Sequence, residues 1–194
     1  MKPNSTMTYG ACAARLRSNG YEPVSAIAPL GAEYDGNLTS KFVAWEPHEI
    51  SEHPVAVRLA APAGTLTLLV LDPHAMEDPE LLERVRVLLT DRGLTGGPCR
   101  LGSDGRETYP LRAGYSRSTG DALEGAVQFG RGVLLPLDGR WERGDLLNVA
   151  RAELPEGDSD IVRAVCSDLS SLPYRLAEER RPPPAPSLEA WIGQ

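Results

Sequence analysis

The chain has 194 residues, 41% of them hydrophobic, which is enough for one domain with a real core and too many for a disordered segment. Its net charge of −7 argues against tight autonomous binding to nucleic acid, where neutralising phosphate supplies most of the affinity. No run approaches the roughly 20 apolar residues of a membrane span. Residues 1–10 (MKPNSTMTYG) lack an apolar signal core, and the three cysteines are widely spaced. A cytoplasmic, reducing setting is therefore expected, with no membrane contact and no zinc ribbon.

Residues 8–19 predict a helix, with Thr8 as N-cap and Asn19-Gly20 as the stop. Residues 21–30 (YEPVSAIAPL) read as an extended segment broken by prolines, and residues 31–54 as a polar loop carrying Lys41, Trp45, His48 and His53. Lys41 and Trp45 could suit a nucleic-acid contact by charge and stacking, but the expected reading is a Trp anchoring the loop to the core beside a solvated lysine. His48 and His53 have only glutamates near them and no cysteine, so a solvated loop is expected rather than a zinc site. Residues 55–59 and 65–71 predict strands joined by the turn APAG. The second is apolar at nearly every position, the mark of a strand buried on both faces.

Asp72, Pro73 and His74 follow directly, where that strand runs out. Asp78 and Pro79 then open a helix as N-cap and first helical residue, and Gly93 ends it. Leu81, Leu82, Val85, Leu88 and Leu89 form its buried stripe. Residues 96–115 read as strand, turn and strand, and residues 125–141 as two more strands with turns at Gly130-Arg131 and Asp138-Gly139. A last helix over 160–171 buries Ile161, Val162, Val165 and Leu169. From Tyr174 the chain becomes charged and proline-rich, so residues 1–173 are expected as the domain and 174–194 as a stiff exposed tail. The fold class is α+β: a mostly antiparallel sheet with helices on one side.

Five segments in this order resemble a known family. They are YGACAARLRSNGYEPVSAI, SKFVAW at 40–45, VAVRLAAPAGTLTLLVLDPH, PCRLGSDGR at 98–106 and LLNVARAELP at 146–155. Together they resemble the primase-polymerase domains of the archaeo-eukaryotic primase superfamily, as found in phage and plasmid replication proteins. The resemblance implies an archaeo-eukaryotic primase-like core and nucleotidyl transfer, in which two divalent cations bridge the triphosphate and the primer hydroxyl. Nucleotides and a DNA template would then be the partners.

The family places two acids one residue apart at a strand end. Here Asp72 takes the first position, but His74 stands at the second. That pair suits manganese or zinc better than magnesium, and any divalent cation is expected to bind weakly. Asp138, after VLLPL, is the nearest match to a third acid, and Arg100 and Arg106 match the positions that grip phosphate. Glu107 falls where the family has a histidine beside the triphosphate, an anion where phosphate should sit. The alternatives are ordinary: Asp72 capping a turn beside a surface imidazole, and Arg100 and Arg106 as solvated hairpin arginines. A degenerate metal site leaves two functional readings. One is a primase-polymerase with weak or lost catalysis. The other is an acidic interaction protein that binds or inhibits a host nucleic-acid-processing enzyme, with the C-terminal tail as one route to its partner.

Overall fold

A computed structural model of the chain describes residues 7–25, 52, 54–61, 64–114, 119–130, 134–137 and 139–181. Lys41, Trp45, His48, His53, Asp138 and the end of the chain from 182 lie outside these residues. In chain order the elements are α1 (Tyr9–Ser18), β1 (Pro23–Ser25), β2 (Val55–Arg58), β3 (Ala60–Ala61), β4 (Gly64–Leu71) and α2 (Pro79–Asp91). There follow β5 (Cys99–Leu101), β6 (Glu107–Ala113), β7 (Gly120–Ala122), β8 (Val127–Phe129), β9 (Leu134–Pro136), β10 (Arg140–Glu142) and α3 (Ser159–Glu179). Among the described residues the strands form two sheets whose ladders are all antiparallel. The larger runs β10-β5-β6-β4-β8-β7 with β3 added on β4, and the smaller runs β1-β2-β9. The α+β class holds.

β4 is interior, paired with β6 from Thr65 to Leu71 and with β8 from Leu69 to Leu71. Because side chains alternate along a strand, its two faces enter different cores. Leu66 and Leu68 pack with Cys12, Ala13 and Leu16 of α1 and with Val55, Val57 and Leu135 of the small sheet. Leu69 and Leu71 pack with Val85 and Leu89 of α2 and with Val162, Val165 and Leu169 of α3. Each leucine buried this way stabilises the fold by about 1.5–3 kcal/mol relative to exposure. The expectation of helices on one side is thereby corrected. A strand apolar on both faces needs two covers, and the molecule supplies α1 with the small sheet on one and α2 with α3 on the other.

Asp78 caps α2 as its sequence position predicts, accepting the N–H groups of Glu80 at 3.0 Å and Leu81 at 3.4 Å. Thr8 sits at the N-cap of α1 in extended conformation, but its side chain makes no capping bond. Two boundaries differ more. The segment 125–141 holds three strands rather than two, and they are not hairpin partners. β8 pairs with β4, β9 crosses to β2 in the other sheet, and β10 pairs with β5. Gly130 and Gly139, at φ +77° and +114°, turn the chain between sheets rather than back on itself. α3 also runs on to Glu179, through Pro173, so residues 174–179 are helix instead of the start of a tail. Leu176 is buried, and Arg180 closes on Asp78 at 2.8 Å and Glu80 at 2.6 Å. These contacts hold the turn beyond the proline, a residue that costs about 3 kcal/mol in a helix interior.

Candidate functional site: the end of β4

The site is built by two chain reversals that meet. After Leu71 the chain leaves the sheet through Asp72, whose N–H donates to the Ala126 carbonyl at 2.8 Å. Residues Pro73–Ala75 then make one 3-10 turn, with Asp72 at its N-cap. From the neighbouring strands comes the turn between β5 and β6, closed by the Gly102 N–H on the Arg106 carbonyl at 2.8 Å. Gly105 lies in that turn at φ +81°, and a Cβ there would stand 2.7 Å from the His74 Nε2. The imidazole thus rests against the glycine of the facing turn.

Both carboxylate oxygens of Asp72 are engaged. Oδ1 accepts the His74 N–H at 3.0 Å, and Oδ2 accepts the Arg106 Nε–H at 2.8 Å. The Arg106 guanidinium lies 3.5 Å from the Asp104 carboxylate as well, and Asp104 Oδ1 takes the Arg106 N–H. Partial burial alone would raise the Asp72 carboxyl. The bond and charge of Arg106, with the amides of His74 and Ala75, outweigh it and hold the group below its ordinary range. His74 reaches Asp72 through its backbone amide, and its ring is exposed.

Asp72, His74 and Arg106 are therefore brought together, whereas Arg100 is not part of that cluster. Arg100 is buried in β5, opposite Thr108 on one side and Trp141 on the other, with its guanidinium 3.2 Å from where a Gly139 Cβ would stand. Arg100 thus does not have the solvated hairpin setting considered for it. Glu107 needs a clear correction. It follows Arg106 directly, and neighbouring residues on an extended chain point to opposite faces. Arg106 turns to Asp72, while Glu107 turns beneath α2, where Arg86 meets Oε1 at 2.5 Å and the Tyr109 hydroxyl donates to Oε2 at 2.6 Å. It does not share a cradle with Arg100 and Arg106. The signal that would have placed it is the period of two in β6, where Glu107, Tyr109 and Leu111 line the α2 face.

Comparison with family models, curated proteins and solved structures gives no match.

The residues present can be tested against the pair of divalent cations that the family resemblance implies. Magnesium takes clustered, unencumbered oxygens. What stands here is the Asp72 carboxylate, already bound by a guanidinium and an amide, with the Asp104 carboxylate on the same guanidinium and an imidazole directed at the opposite turn. Among the described residues, no three His, Cys, Asp or Glu side chains are placed to hold a metal. As arranged, this donor set does not fit two cations. No helix among the described residues is long and apolar enough to cross a membrane.

Proposed function

We propose that this chain is a primase-polymerase-like protein of a phage or other mobile element, linked to DNA replication, in which nucleotidyl transfer is weak or lost. The observation that carries the reading is the ion pair between Arg106 and Asp72. In such chemistry the carboxylate at this strand end would hold cations that stabilise the attacking and leaving oxygens. Here a guanidinium stands against it as a built-in counter-charge that can neither accept a phosphate oxygen as a Lewis acid nor activate a hydroxyl. Removing one element of transition-state charge stabilisation costs several kcal/mol, a rate loss of ~1,000-fold or more. Manganese, which tolerates a nitrogen ligand, is the cation for which residual binding through Asp72 and His74 is expected.

The test is template-dependent incorporation of labelled nucleotides, with Asp72→Ala as control and magnesium or manganese supplied in turn. The reading expects wild type to match Asp72→Ala in magnesium and to exceed it modestly at best in manganese. Robust synthesis that Asp72→Ala abolishes would restore a working enzyme.

A second reading is an acidic protein that binds a host nucleic-acid-processing enzyme. Two observations favour it: the net charge of −7 and the large exposed side chain of Tyr174, 78% accessible on α3. Capture of a nucleic-acid enzyme by wild type, lost in Tyr174→Ala, is its expected result.

A further inference from the structure

On the face of the sheet away from Asp72, a cavity of about 290 Å³ opens between α2 and the strands β5, β6 and β10. Its floor is Leu71, Cys99 and Tyr109, the α2 wall carries Arg86 and Thr90, and Glu142 and Arg143 line its outer side. We infer that this cavity is a binding site for a small zwitterion of the free amino-acid class, held by its carboxylate on Arg86 and Arg143 and by its ammonium on Glu142. The inference is independent of the reading of the β4 end, since none of the residues that hydrogen-bond to Asp72 lines this cavity.

The inner wall is buried and its polar groups are largely paired. Cys99, Tyr109 and Thr95 are each no more than 5% exposed. Burial, with the charges of Glu107 and Glu142, pushes the Cys99 thiol up to about 11 against the opposing hydrogen bond of Tyr109, which makes it a neutral wall group rather than a nucleophile. Glu107 is satisfied on both oxygens, by Arg86 and by Tyr109. The Thr90 and Thr95 hydroxyls bond to each other at 2.9 Å.

The outer groups, by contrast, are only partly satisfied. Among the described residues Arg86 uses one terminal nitrogen on Glu107, and Arg143 uses NH1 on the Thr95 carbonyl at 2.5 Å. Each guanidinium keeps further N–H donors for an anion, in the fork geometry that suits a carboxylate. Glu142 gives Oε1 to Arg140 at 3.0 Å, and its other oxygen has no partner among the described residues. Arg143 also sits at φ +58°, a left-handed conformation unusual outside glycine. Such backbone strain persists where the surroundings over-determine it and concentrates at ligand sites.

Charge and size choose the ligand. Two guanidiniums and two carboxylates balance, so a dianionic phosphate would face Glu107 and Glu142, whereas a zwitterion meets opposite charge at both ends. The volume lies at the low end of the ~300–1,000 Å³ typical of ligand pockets, which favours a compact molecule.

The test is thermal melting of the full chain with each of the common free amino acids, with their N-acetyl derivatives and with inorganic phosphate. At about ten times its Kd, a bound amino acid is expected to raise Tm by about 3–6 °C. The shift should vanish on N-acetylation of the ligand and in Arg143→Gln, with Glu142→Gln as a second, exposed variant should the first not fold. No shift from any amino acid overturns the inference. So does an equal or larger shift from phosphate or from an N-acetyl derivative, or a shift that survives both variants.

Discussion

The β4–β6 pair presents two carboxylates, each bound by an arginine, on its two faces, and the surroundings give them different consequences. Asp72 lies beyond the last rung of β4, at a rim where Arg106 and an exposed imidazole complete the turn. Glu107 lies one residue beyond Arg106, on the last rung, where α2 covers it and a tyrosine hydroxyl completes its shell. At the rim, the arginine neutralises the acid at the end of β4. Beneath α2, the arginine and tyrosine turn the acid into a wall and leave donors facing a cavity. An acid–arginine pair closes a site in the first place and frames one in the second.

The largest effects should come from the strand that both regions share. Leu68→Ala and Leu69→Ala remove fully buried side chains from opposite faces of β4, and each should cost about 2–5 kcal/mol in urea unfolding. Similar losses on both faces would sharpen the picture of two cores divided by one strand. A loss of under 0.5 kcal/mol at either position would break it.

Next comes Tyr109→Phe, which withdraws a donor from the half-buried Glu107 carboxylate. The expected cost is about 2 kcal/mol, since bonds to charged groups exceed neutral ones. The same region should set the alkaline limb of stability. Cys99 in the fold keeps its proton to higher pH than in the unfolded chain, up to about 11. Its contribution is complete below the ordinary thiol range, fades as pH rises through it and is gone above the folded value. Equilibrium unfolding of Cys99→Ala against wild type across that range should show the difference narrowing as pH rises.

The rim effects should be smaller. Gly105→Ala forces a left-handed alanine and presses on the exposed His74 ring, so a cost of about 1 kcal/mol is expected. Arg106→Gln should cost less, about 0.5–1 kcal/mol, because the pair is partly solvated. Its signature is pH dependence. Asp72 titrates below its ordinary range in the fold, so its contribution is present above the unfolded value of about 3.9 and is lost as pH falls below that. Arg106→Gln should flatten this acid limb and leave the alkaline limb unchanged.

Much of this architecture is legible in the chain. The apolar run of β4, the Asp78-Pro79 start of α2 and its leucine stripe all lie where local pattern puts them. What the pattern misses is non-local. Pro173 reads as a stop, and the chain beyond it stays helical where Leu176 is buried and where Glu179 and Arg180 meet α2. Gly130 and Gly139 read only as turns, because local chemistry does not say which sheet receives the next strand. The Asp72–Arg106 pair joins residues 34 apart, so it exists only once β4 and β6 are in register. The direction of Glu107 depends on that same register, since a slip of one residue exchanges the faces.

Whether Arg106 rather than a cation satisfies Asp72 is decided by manganese binding followed through the electron paramagnetic resonance of the free ion. Titrations would compare wild type, Asp72→Ala and Arg106→Gln, with magnesium as competitor. The account predicts weak binding to wild type, none above background in Asp72→Ala and a tighter site in Arg106→Gln, where the carboxylate is released. Tight, Asp72-dependent binding in wild type that Arg106→Gln leaves unchanged would contradict it.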